Sequence, residues 1–155
     1  AAMGWADWPA RLQKLADGPI TQLAPYGTPI WIDGCHNPAS AEIVAGQLTE
    51  LIGENVQLHI IAGVLANKDA EGILAPFCVS GAKFQTVSIT GHPHHPPEAL
   101  AGWLRSQGTA ASPAQDIETA IRGVSARHEG PSAILIIGSL YLAGEVLRAN
   151  GQVPD

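Results

Sequence analysis

The chain has 155 residues, of which 46% are apolar and 14% charged, and its net charge is −6. This length suits one domain with a sizeable core, and the composition excludes a disordered chain. The acidic balance and scattered basic residues exclude a surface that tracks nucleic-acid phosphates, and with neither a membrane-length apolar run nor a charged-then-apolar leader, no membrane contact is expected.

In chain order, residues 1–10 form an opening segment with Trp5 and Trp8 around Asp7. Arg11 to Leu15 alternates as a short strand does, Asp17-Gly18-Pro19 signals a turn, and Ile20 to Leu23 is expected to pair back as a hairpin. After Pro29 the apolar run Ile30-Trp31-Ile32 predicts a strand, which turns through Asp33-Gly34 into a helix with Asn37 as N-cap and Pro38 in the first turn. Ala41, Val44, Ala45, Leu48 and Ile52 fall on one stripe of that helix, and Gly53 closes it.

Val56 to Val64 predicts a second strand, apolar almost throughout as buried parallel strands are. A polar turn follows at Asn67-Lys68-Asp69, then a short helix over 70–75 stopped by Pro76. Lys83 to Ile89 reads as a third strand, 91–97 as a proline-stiffened loop, and Pro97 to Gln107 as a helix. Asp116 caps a helix whose Ile117, Ala120, Ile121 and Val124 face inward. Ser132 to Ile137 is the clearest strand. A last helix runs from Leu140 to Asn150.

Strands alternating with helices predict an α/β, Rossmann-like fold: a mostly parallel twisted sheet with helices on both faces. The dinucleotide fingerprint GxGxxG and the GxxxxGK[ST] phosphate loop are both absent. In open α/β sheets ligands sit at the carboxyl ends of strands. The joint from Asp33 to Asn37 places a carboxylate and an imidazole there, beside a helix N-terminus whose amides favour an anion. On residues alone, Asp33 and His36 serve equally well to organise a turn, Arg11 reads as a surface charge, and Ser139 as a plain N-cap. Cys35 stands near a helix N-terminus that would lower its pKa toward a nucleophile, but a small residue fitting a tight turn is the favoured reading. Cys35 and Cys78 lie in unlike contexts and predict two reduced thiols in a cytoplasmic protein, although spacing leaves a disulfide open. His92-Pro93-His94-His95 suggests a metal or interaction site, but no partner at ligand spacing stands near it, and no metal site is assigned. His59 reads as a structural histidine, and Trp103 and Tyr141 as packing residues.

Three patches together, Trp8 to Gln13, Ile32-Asp33-Gly34-Cys35-His36-Asn37-Pro38, and Gly138 to Leu147, resemble the C-terminal domain of folylpolyglutamate synthase/dihydrofolate synthase, in the Mur ligase superfamily. Gly63 to Asp69 is a weaker fourth match. The resemblance implies an ATP-dependent ligase that joins L-glutamate to dihydropteroate or folate through an acyl phosphate. It implies residues 1–10 as an interdomain linker and 11–155 as the C-terminal domain. The ATPase domain, which holds the phosphate loop and most contacts to ATP and Mg, would precede it, and the domain alone would be inactive. Residue by residue, it gives Arg11 to the ATP phosphates, Asp33 to the ribose hydroxyls, and His36 to the phosphates or acyl phosphate as the catalytic position. It gives Ser139 to the incoming glutamate, and Lys68 to the substrate as a cation that neutralises phosphate or carboxylate charge. A monomer is expected. The competing expectation is a stand-alone Rossmann-like module that binds a small molecule by itself.

Overall fold

The computed structural model describes residues 11–126 and 130–152. The segment 1–10, expected as a linker, lies outside the described residues. Six strands form one sheet: β1 (Gln13–Lys14), β2 (Ile30–Ile32), β3 (Gln57–Ala62), β4 (Lys83–Thr86), β5 (Ala111–Pro113) and β6 (Ser132–Ile137), in the order β1-β2-β6-β3-β4-β5. All neighbouring pairs are parallel except β1 and β2. Five helices connect or flank them: α1 (Pro38–Ile52), α2 (Ala70–Leu74), α3 (Pro97–Ser106), α4 (Ile117–Ala126) and α5 (Leu140–Ala149).

β6 shows why two layers of helices are needed. All six of its side chains are buried, and successive residues of a strand point to opposite faces. Ala133, Leu135 and Ile137 join one core with α1, α2 and α3, through Val44, Leu48, Leu74, Phe77, Leu100 and Leu104. Ile134 and Ile136 join the other with α4 and α5, through Ile121, Val124, Leu142 and Val146. Burying an aliphatic side chain contributes roughly 1.5–3 kcal/mol, so an edge position would waste such a strand. It sits between β2 and β3 instead.

The expected doubly covered sheet is therefore present, with corrections at the margins. Ile20 to Leu23 does not pair back as a hairpin: Thr21–Leu23 is a 3₁₀ turn, and β1 pairs antiparallel with β2, Gln13 against Ile32. Buried Asn150 holds that segment, accepting from the Ile20 amide (3.0 Å) and donating to the Ala16 carbonyl (2.8 Å). The short helix before Pro76 is present as α2 and ends at Leu74; what the sequence did not announce is the 3₁₀ turn that follows over Ala75–Ser80 and seats buried Phe77. The short strand β5 follows α3 and carries no apolar alternation to announce it. Among the described residues no helix is long and apolar enough to cross a membrane.

Candidate functional site

Because β6 lies between β2 and β3, consecutive connections leave the sheet in different directions. α1, after β2, packs on one face and α5, after β6, on the other. The chain thus parts to opposite faces at the carboxyl ends of β2 and β6, where open α/β sheets carry a ligand crevice. A groove of about 320 Å³ lies there, lined by Arg11, Leu12, residues 33–36, the α1 residues Ser40, Ile43, Val44 and Gln47, and Leu140 from α5.

The structure thus brings Arg11, Asp33 and His36 to one groove. Arg11 is exposed and Asp33 is 7% exposed. The Asp33 carboxylate accepts two backbone amides: Oδ1 from Cys35 (2.7 Å) and Oδ2 from Leu12 (2.9 Å). Burial pushes its carboxyl above the ordinary 3.8, outweighing those two amides and the Arg11 guanidinium, which pull it down. His36 is half-buried, and its Nδ1 lies 3.4 Å from the Gly34 carbonyl. A carbonyl can only accept, so in this contact Nδ1 is the donor. Gly34 lies close to α5: a Cβ there would run into the Leu140 side chain, which would have to shift.

The helix start offers an anion less than expected. Pro38 has no N–H, Asn37 Oδ1 accepts from the Ser40 amide (2.8 Å), and the Ala41 amide bonds the Asn37 carbonyl (3.1 Å). Only the Ala39 amide of the first turn remains, so a bound anion must rely on side chains and the helix dipole. For Cys35 the structure agrees with the favoured reading of a small residue in a tight turn and goes against the nucleophile. The residue is 3% exposed, and burial, then the negative Asp33, pushes its thiol up to about 12. A thiolate is absent at neutral pH. Cys35 and Cys78 are both free thiols.

Ser139 and Lys68 stand at the same end of the sheet but outside the groove. Ser139 is 2% exposed, and its hydroxyl oxygen accepts from the amides of Tyr141 (3.0 Å) and Leu142 (3.5 Å), capping α5. Lys68 is half-buried in the turn after β3, where its carbonyl accepts from His95 Nε2 (2.9 Å). His94 Nδ1 donates to the His92 carbonyl (2.9 Å), so His94 and His95 each commit one ring nitrogen to the backbone of this region. No three His, Cys, Asp or Glu among the described residues are placed to hold a metal ion. Tyr141 is not a packing residue as expected: it is 53% exposed, and its ring stacks on His92 with centroids 3.9 Å apart.

Sequence reasoning missed the α1 wall of the groove. A signal was available, since Ile43 lies out of phase with the buried stripe Ala41–Val44–Leu48 and is 63% exposed. Ser40, Ile43 and Gln47 follow one another at helical spacing along the face the groove uses.

A doubly covered, mostly parallel sheet with a polar-edged groove at its switch point defines a Rossmann-like α/β domain. The chain matches the family described as dihydrofolate synthetase, C-terminal domain, over residues 17–149, and belongs to it. It is 30% identical over 139 residues to a folylpolyglutamate synthase of Lacticaseibacillus casei, covering 90% of this chain and 29% of that protein. It is 28% identical over 157 residues to the dihydrofolate synthetase of Saccharomyces cerevisiae, covering 94% and 36%. Its fold is that of the Mycobacterium tuberculosis folylpolyglutamate synthase solved with ADP and AMPPCP, with TM-score 0.76, 24% identity, and 95% of this chain and 33% of that one covered. The chain thus spans about a third of the length of these relatives.

Proposed function

We propose that this domain works in an ATP-dependent ligase that adds L-glutamate to dihydropteroate or folate, and that its groove receives the nucleotide held by a phosphate-loop domain. On this reading residues 1–10 link the two domains, and 11–155 form the C-terminal one. The γ-phosphoryl group of ATP passes to the acceptor carboxylate and ADP leaves. The glutamate amine then attacks the acyl phosphate, forming the amide and releasing phosphate. The observation that carries the proposal is the convergence of Arg11, Asp33 and His36 on one groove at the sheet's switch point.

Each side chain suits a part of that chemistry. Arg11 is exposed, and its guanidinium fork matches phosphate oxygens and stays charged. His36 uses Nδ1 toward the Gly34 carbonyl and offers Nε2 to the phosphates or the acyl phosphate. Asp33 has both carboxylate oxygens committed to the Leu12 and Cys35 amides, so on this reading it shapes the groove and the ribose contact implied for it is not retained. Exposed Ile43 with Leu140 forms an apolar wall fit for the flat base. Lys68 is the cation for a glutamate carboxylate, and Ser139, whose oxygen already caps α5, retains its hydroxyl proton for the same group. The described residues hold no carboxylate cluster for Mg, so the ion belongs with the phosphate-loop domain. Two free thiols and the lack of a membrane-crossing helix among the described residues support a cytoplasmic enzyme, which we take to be monomeric.

The test is a titration of the chain with ATP, followed by backbone NMR, alongside Arg11→Ala and His36→Ala in the ligase that contains this domain. We expect shifts confined to residues 11–12, 33–36 and 40–47, no turnover by the chain alone, and a loss of about tenfold in kcat/KM for ATP from Arg11→Ala. Full activity in both variants would refute the assignment, as would turnover or tight binding by the isolated chain.

A further inference from the structure

The link between Asp33 and the chain entering the sheet goes beyond a direct nucleotide contact. Leu12 has φ +42°, in the left-handed region that costs a residue with a Cβ about 1–2 kcal/mol. Its amide donates to Asp33 Oδ2 at 2.9 Å, across 21 positions of sequence. The next residue, Gln13, is already paired with Ile32 in the sheet. Leu12 is therefore the only bend between Arg11 and a fixed strand. A buried carboxylate, itself held by the Cys35 amide at 2.7 Å, fastens that bend.

We propose that Asp33 is a positioning residue: its carboxylate latches the Leu12 amide, holds Leu12 in its left-handed bend, and so keeps the Arg11 guanidinium at the groove. This rests on reading the groove as a phosphate-binding nucleotide site. The sign of the effect separates it from simple electrostatics. Asp33→Asn removes a negative charge beside the groove, which by Coulomb attraction alone would tighten phosphate binding. A latch predicts the reverse, because the Cys35 and Leu12 amides face different oxygens of Asp33, and in Asn one of those positions becomes an NH2 donor that can accept from neither.

Three probes follow: ATP, inorganic tripolyphosphate and adenosine, titrated against the wild-type chain, Arg11→Ala, Asp33→Asn and the double variant. We expect Asp33→Asn to weaken ATP and tripolyphosphate by the same factor, about fivefold, and to leave adenosine unchanged. The double variant binds no worse than Arg11→Ala, since the two residues act as one unit. A loss seen with ATP and adenosine but not tripolyphosphate would show direct ribose contact and overturn the latch. So would tighter tripolyphosphate binding by Asp33→Asn, or losses that multiply in the double variant. Hydrogen exchange at the Leu12 amide decides the latch without any ligand: about tenfold protection in the wild-type chain, lost in Asp33→Asn, supports it, and an unprotected wild-type amide refutes it. If Arg11→Ala leaves tripolyphosphate binding intact, the phosphate-site reading fails, while the exchange result still stands on its own.

Discussion

The joint between β2 and α1 and the joint between β6 and α5 lie beside each other at one end of the sheet, both leading from a buried strand into a capped helix. The second is short. Gly138 turns the chain at φ +114°, Ser139 caps two amides, and α5 begins. The first is longer, with Asp33 to His36 between strand and N-cap, and its extra residues line the groove. A two-residue joint spends its residues on the turn and the cap and has only the Ser139 hydroxyl proton left to offer. Added length brings side chains that the turn does not consume, and those carry the proposed chemistry.

The largest effect tests how tightly the short joint is built. A Cβ at Gly138 would run into the Gly63 carbonyl oxygen, a backbone atom that cannot rotate away, while the positive φ adds strain. Gly138→Ala should cost about 3 kcal/mol or more by urea denaturation. Gly91, with φ +80° and open space where a Cβ would go, should cost only about 1 kcal/mol as Gly91→Ala. Equal losses would show that conformation alone matters, and that the Gly63–Gly138 approach does not limit the joint.

A smaller difference separates the two caps. Ser139→Ala leaves the amide of fully buried Leu142 and that of Tyr141 without their hydroxyl, and should cost about 1–2 kcal/mol. Asn37→Ala exposes the Ser40 amide to water and should cost about half as much. At roughly 2–4 °C per kcal/mol for a chain of this size, thermal melts resolve the two. A larger loss from Asn37→Ala would reverse the assignment of structural weight to the short joint.

What the sequence made legible follows from which interactions are local. The all-apolar run of β6, the stripe of α1 and the caps Asn37, Asp116 and Ser139 depend on nearest neighbours along the chain, and the structure has them at their expected places. β5, three residues without alternation, exists because β4 offers it an edge, which is a tertiary fact. The false hairpin at Ile20 has the same origin: β1 found β2, and Asn150, 130 positions away, took the Ile20 amide. At the site, residue types in one short string indicated a groove with Asp33 and His36. The left-handed bend at Leu12 left no trace, since leucine ordinarily avoids that conformation and only the distant carboxylate holds it. Cys35 shows the same limit: proximity to a helix start suggested a lowered pKa, whereas burial, invisible in the string, drives it upward.

The smallest effect concerns two carboxylates that make similar bonds in unlike surroundings. Asp33 in the long joint and exposed Asp116 before α4 each accept backbone amides, yet Asp33 is shifted above 3.8 by burial, and Asp116 below 3.8 by the amide and hydroxyl of Thr119. Linkage fixes opposite signs. Between 3.8 and its raised folded value, Asp33 binds more protons folded than unfolded, so its contribution falls as pH rises through that window and is constant above it. Asp116 binds fewer protons folded, so its contribution grows as pH rises toward 3.8 from below. Carboxyl ¹³C titrations should therefore place the Asp33 midpoint above the ordinary aspartate value and that of Asp116 below it. In Arg11→Ala the Asp33 midpoint should move further up, since the guanidinium is one of the groups pulling it down. If it stays in place, Arg11 does not face the carboxylate, and the groove loses the charge on which the phosphate reading depends.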